Sequence, residues 1–213
     1  MGLPGGLGWK HEIPPETLST GIGELDAVIE GCPRGRITEI TGSVSSGRTT
    51  IMHAILAEGT RTGEVCAVVD ACDAFDPESA AAAGVKLSQL LLVHCGRDAD
   101  HALRAADLLL HSGGFGVVAL DLCDLSDRDV RRIPISCWYR FRRAIENTPT
   151  VFLVVEREPL VKACATLSLQ MNRERAEFSG TYPFQYLESV LYQAQPRKAV
   201  SRRPASFRVK ALP

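Results

Sequence analysis

The 213-residue sequence has no apolar run approaching the ~18 residues that span a membrane. Residues 1–9 are glycine-rich and lack the basic-then-apolar order of a secretory leader. Both absences lead to the expectation of a cytoplasmic protein with no membrane partner. No CxxC pair is present either. The seven cysteines, Cys32, Cys66, Cys72, Cys95, Cys123, Cys137 and Cys164, stand far apart, which argues against a zinc site or a redox dithiol. Most sit beside Val, Leu or Ala, as expected of buried small hydrophobes in a reducing compartment. No internal repeat is visible.

With 45% apolar and 23% charged residues, the chain can bury one sizeable core and is short for two. Its net charge of −1 conceals an asymmetry. Residues 1–127 carry 8 Lys/Arg against 18 Asp/Glu (8 − 18 = −10), and residues 128–213 carry 16 against 7 (16 − 7 = +9). A basic half suits nucleic acid or an acidic partner, while the acidic half argues against a protein that coats DNA with its whole surface. A solvated charge pattern is the plain alternative.

Hydrophobic periodicity predicts a short helix over 20–29, ending in a turn at Gly31, Cys32 and Pro33. A β-branched, alternating strand follows at 36–41, then a helix at 49–61. Alternation continues with strands at 65–70, 90–94, 116–122 and 150–155, and helices at 77–83, 99–111 and 135–147. Strand and helix in turn mean an α/β fold, a mostly parallel sheet flanked by helices. From Cys164 the period changes to two, at 166–171 and 206–210, which predicts antiparallel strands at the C-terminal edge of the sheet. Residues 195–203 are basic and proline-interrupted, and read as a mobile loop. The expected organisation is an N-terminal extension (1–18), a nucleotide-binding core (19–195) and a basic C-terminal segment ending in an edge strand (196–213).

Gly42-Ser43-Val44-Ser45-Ser46-Gly47-Arg48-Thr49 fits the phosphate-loop pattern GxxxxGK[ST], except that arginine stands for lysine. It lies between a predicted strand and a predicted helix, as its mechanism requires. Glycines let backbone N–H groups close on phosphate oxygens at the positive end of a helix. Arg48 is not a neutral replacement, because a planar guanidinium is broader than the ammonium that slips between β- and γ-phosphates. Thr49 is placed to put its hydroxyl on Mg²⁺. The partner carboxylate is expected at the end of an apolar strand, where Val117-Val118-Ala119-Leu120-Asp121 supplies Asp121. The plain reading of Asp121 is a strand-end residue that caps the next turn.

Ordered matches at Ser19-Thr20-Gly21, Leu25-Asp26, Gly35 to Gly42, Ser45 to Thr50, Val69-Asp70-Ala71, Asp76-Pro77 and Gly84-Val85 resemble bacterial RecA. The resemblance implies a RecA-like nucleotide-binding core with ATP and Mg²⁺ as ligands, held by Gly42 to Thr50 and by Asp76, the counterpart of the family's adenine-contacting aspartate. The departures carry as much information. The family's catalytic glutamate falls on Cys72, and a neutral thiol cannot hold a water for attack. Asp70 and Asp73 are candidate substitutes, each displaced from the matching position. The adenine-stacking tyrosine falls on Ser79. The γ-phosphate-sensing glutamine falls on Val155, or on Glu156 if the register slips by one. The glycine-rich DNA loop is cut to a few residues, and the N-terminal filament latch is missing. ATP is therefore expected to bind weakly and turn over slowly or not at all.

A RecA-like core with these losses resembles the ImuA family of accessory proteins in damage-induced mutagenic translesion synthesis. Residues 162–167 and 173–178 share that family's texture. The resemblance implies a polymerase-like DNA-repair partner, with DNA contact through the basic C-terminal half. Arg128, Arg131, Arg132, Arg197, Lys198, Arg202 and Arg203 are the candidate DNA or partner contacts. Arg140, Arg142 and Arg143 follow on a helix whose apolar face, Trp138, Phe141 and Ile145, reads as core rather than a base-stacking platform. The competing function is an active DNA-dependent ATPase or recombinase. A small-molecule kinase is disfavoured, because no lid of arginines is evident.

Overall fold

The computed structural model describes residues 16–123, 125–181, 183–199 and 201–211. Most of the expected N-terminal extension lies outside them. A short bridge, β1 (Thr17–Leu18), pairs antiparallel with β2 (Cys32–Pro33), and α1 (Gly23–Ile29) lies between. Asp26 fastens this entry, because its carboxylate accepts from the Thr20 amide and hydroxyl and from the Ser19 hydroxyl.

The main sheet has eight strands. In chain order they are β3 (Arg36–Gly42), β4 (Cys66–Asp70), β5 (Leu90–His94), β6 (Val117–Asp121), β7 (Val151–Glu156), β8 (Ala165–Thr181), β9 (Phe184–Lys198) and β10 (Ala205–Lys210). Across the sheet the order is β10-β9-β8-β3-β7-β6-β4-β5. Every pair from β8 to β5 is parallel, and β9 is antiparallel to both its neighbours. The helices are α2 (Arg48–Arg61), α3 (Pro77–Ala82), α4 (Ala99–Ser112), α5 (Asp127–Arg131) and α6 (Ile135–Ile145).

Period-two alternation along the central strands sends side chains to two cores. Ile40, Val68, Ala119, Leu153 and Val155 pack with Ile51 and Ile55 of α2. Ile37, Val69, Leu120, Phe152 and Val154 pack with Leu103 of α4 and with Trp138, Phe141 and Ile145 of α6. Phe141 lies edge-on to both Trp138 and Phe152, so the aromatic face of α6 is core, as its spacing implies. Six of the seven cysteines are buried, Cys137 is half-buried, and none forms a disulfide.

The C-terminal edge of the sheet is antiparallel as expected, with one refinement and one correction. The run at 166–171 pairs parallel with β3, and is antiparallel only toward β9. Gln195 to Lys198 belongs to β9 rather than to a loop; Gln170, Leu169 and Ser168 sit opposite Gln195, Pro196 and Lys198. Pro196 is tolerated there because the register shifts at that point, where a missing N–H costs no regular ladder bond. Beyond Met171 and its partner Ala194, β8 and β9 run on past β3, with β10 alongside β9 as far as Ser189 and the two strands alone beyond it, an extension that the sequence pattern did not reveal.

Candidate nucleotide site

Strand β3 ends at Gly42, and α2 begins at Arg48, so Ser43 to Gly47 make the turn between them. Ser45 (φ 59°) and Gly47 (φ 93°) are both left-handed, and such residues turn consecutive N–H groups to one side. The N-terminus of α2 has no side-chain cap and no acidic residue in its first turn. Its polarised N–H groups are therefore left for an anion.

Crowding fixes the loop from both sides. A Cβ on Gly42 would lie 2.6 Å from the Met171 carbonyl oxygen, and one on Gly47 would lie 2.7 Å from the Tyr192 ring. Tyr192, from β9, thus lies over the loop, and it also packs against Phe207 of β10. Around the loop, Ser46 Oγ, Arg48 Nη1 and His53 Nε2 are buried and have no hydrogen-bond partner. Buried polar groups are rarely left so. A phosphate on this turn would give the Ser46 and Arg48 groups an acceptor.

Beside the loop opens a cleft of about 450 Å³, lined by Thr50, His53, Ser79, Tyr192, Val209 and Lys210 among others. His53 is 7% exposed and edge-on to Phe75. Burial lowers its pKa, partly opposed by Asp76, so it is neutral at neutral pH. Asp76 is the N-cap of α3, accepting from the amides of Glu78 and Ser79 and from the Ser79 hydroxyl. Ser79 lines the cleft without an aromatic ring. Tyr192 brings one from the opposite wall, and sequence reasoning missed it, because only the pairing of β9 with β8 carries it there.

Thr49 is exposed at the head of α2, and Asp121 closes β6. Asp121 Oδ1 accepts from the Cys123 amide at 2.9 Å, so the turn-capping role foreseen for it is real. Burial raises its pKa, while the Cys123 groups and Arg48 pull it down. Among the described residues, no group of three or more His, Cys, Asp or Glu could hold a metal alone. Thr49 and Asp121 do offer the hard oxygen donors that suit Mg²⁺, which would come with the phosphates and neutralise their charge.

The two candidate bases differ in how far their oxygens are engaged. Asp70 is 1% exposed; its Oδ1 accepts from the Cys72 amide and its Oδ2 from the Phe75 amide. Asp73 Oδ1 accepts from the amides of Cys95 and Gly96 and lies 3.4 Å from His94 Nδ1. Cys72 itself is buried. At the end of β7, Val155 faces the α2 core, and alternation puts Glu156 on the opposite side with Val154.

Arg128, Arg131 and Arg132 are exposed on and just after α5, and Arg202 and Arg203 are exposed before β10. Arg197 and Lys198 are tied down instead. Arg197 Nε donates to Gln170 Oε1 at 2.8 Å, and Lys198 Nζ donates to the carbonyls of Ala163 and Ala165. Arg131 lines a cavity with Arg157 and Lys162, while Lys210 of β10 lines the cleft beside Thr49 and Thr50.

A phosphate-loop sequence on a parallel sheet, with a carboxylate at the end of the second strand over from it, is the arrangement of the P-loop α/β class. The profile of the RecA N-terminal domain matches residues 6–126, which holds the loop, Cys72, Asp76 and Asp121. The chain belongs to the RecA N-terminal domain family. It is 41% identical over 117 residues to RecA of Deinococcus radiodurans, covering 54% of this chain and 32% of that one. To RecA of Paramagnetospirillum magneticum it is 44% identical over 118 residues, covering 54% and 33%. The chain thus spans about a third of the length of the curated relatives it matches. In fold it is similar to the crystal structure of the RadB recombinase, with a TM-score of 0.67, 18% identity, and coverage of 91% of this chain and 96% of that chain. Among the described residues, no helix is long and apolar enough to cross a membrane.

Proposed function

We propose that this chain is a RecA-family protein of DNA repair that binds ATP with Mg²⁺ and hydrolyses it negligibly, serving as an ImuA-type adaptor for a polymerase-like partner. One observation carries the reading: the position that matches the family's catalytic glutamate holds a thiol. Position 72 is a buried thiol, Asp70 has both oxygens on backbone amides, and Asp73 has its Oδ1 on two more. Losing a general base costs about 10²–10⁴-fold in rate. The unpartnered Ser46, Arg48 and His53 atoms support retained binding, with Tyr192 taking the base-packing role that Ser79 cannot fill. Exposed Arg128, Arg131, Arg132, Arg202 and Arg203 supply the cations for DNA or for an acidic partner, and either contact weakens with salt.

The test is single-turnover hydrolysis with protein in excess of MgATP, with and without single-stranded DNA. Phosphate release at the no-enzyme rate in both supports an adaptor. DNA-stimulated release that disappears in Thr49→Ala would establish the competing DNA-dependent ATPase.

A further inference from the structure

Two carboxyl groups that the nucleotide site does not use face each other on the α6 side of the sheet. Glu39 on β3 is 2% exposed and Glu156 on β7 is 1% exposed, on neighbouring strands whose registers place them one step apart. Glu39 is saturated with donors. Its Oε1 accepts from the amides of Leu160 and Val161 at 2.8 and 2.7 Å, and its Oε2 accepts from the Ser168 hydroxyl at 2.9 Å. Glu156 Oε1 accepts from the same Leu160 amide at 2.8 Å, whereas Glu156 Oε2 is buried with no donor. An oxygen in that position, beside another carboxylate, is satisfied if it carries a proton and donates it. Two buried negative charges so close would repel with nothing to offset them.

We propose that Glu39 and Glu156 share one proton, and that this acid–carboxylate pair pins the connection of residues 157–164 to the end of the sheet as a pH-sensitive latch. The connection replaces an open loop between β7 and β8, and its Leu160 and Val161 amides are the bolts. It also walls a cavity of about 310 Å³, lined by Glu156, Arg157, Leu160, Lys162, Arg131 and Trp138 among others. When the proton passes to solvent, two like charges remain on one amide, and the connection lifts from the cavity.

The charged surroundings favour the neutral acid. Burial, Glu39 and Glu158 raise Glu156 to about 9, with only the Leu160 amide opposing them. Asp127 and Arg131 reach the same cavity from α5, and Arg157 and Lys162 from the connection itself. From β9, Lys198 is held on the carbonyls of Ala163 and Ala165, at the far end of the connection. Because the folded protein holds this proton and the unfolded chain releases it near 4.5, the contribution to stability is full below about 4.5. It is lost progressively as pH rises to about 9.

The experiment compares the intact chain with Glu156→Gln, whose amide donates to Glu39 at every pH. Between pH 6 and 9 the unfolding equilibrium constant of the unmodified chain should rise about tenfold per pH unit relative to Glu156→Gln. Tryptic cleavage at Arg157 and Lys162 should accelerate with pH only in the unmodified chain. Parallel pH profiles for the two proteins would overturn the latch. If the variant does not fold, carboxyl ¹³C titration of the unmodified protein decides. A glutamate carbon titrating above pH 7 supports the shared proton, and none titrating there overturns it.

Discussion

The two faces of the sheet meet the ends of β3 and β7 in opposite ways. On the α2 face, Ser46, Arg48 and His53 hold buried atoms with nothing to bond. On the α6 face, a pair of carboxyl groups closes over the chain's own amides. Unmet hydrogen bonds at a helix N-terminus call for an outside anion. Bonds met from within make a closed connection that needs no ligand. The contrast teaches that a fold can keep its nucleotide face open while its other face folds in on itself.

The largest expected effect breaks the α6 face alone. Phe141→Ala removes a ring with 0% exposure from between Trp138 and Phe152, and should cost about 3–5 kcal/mol in chemical unfolding. ATP affinity of the folded fraction should not change, and a parallel loss of affinity would mean that the faces are not separable. On the α2 face, Arg48→Ala removes a buried cation, and with it charge-assisted bonds of about 1.5–3 kcal/mol. Calorimetry should read that as an ATP affinity roughly 10- to 100-fold weaker. Arg48→Lys should lose less, because it keeps the charge and gives up only the fork. Smallest is Tyr192→Ala, which removes an aromatic contact of about 0.5–1.5 kcal/mol, a loss of up to roughly tenfold in ATP affinity. Equal binding of ATP and inorganic triphosphate by the unmodified chain would show that Tyr192 roofs the phosphates without touching a base.

Much of this was legible in the sequence. Strands 36–41 and 90–94 and the helix from 135 follow directly from period, and the phosphate loop stands where its flanking elements demand. The apolar face of α6 could be read as core because Trp138, Phe141 and Ile145 recur at helical spacing. What escaped depends on pairings between residues far apart in the chain. Tyr192 reaches Gly47 only because β9 pairs with β8 and β8 with β3, and no local pattern encodes that reach. The choice between Val155 and Glu156 turns on a one-residue register, which in a strand reverses the face. Asp70 looked available as a base until the amides of Cys72 and Phe75 were found on its two oxygens. The ribbon beyond Met171 alternates polar residues on both faces, so its sequence reads as loop or strand alike.

The most direct measurement is a calorimetric titration of the intact chain with ATP and Mg²⁺, with phosphate release followed in the same samples, with and without single-stranded DNA. The account predicts saturable binding that Arg48→Ala weakens, and no phosphate release above background in either condition. Phosphate release that single-stranded DNA accelerates would contradict it, because it would require an activated water that the Cys72 thiol cannot supply.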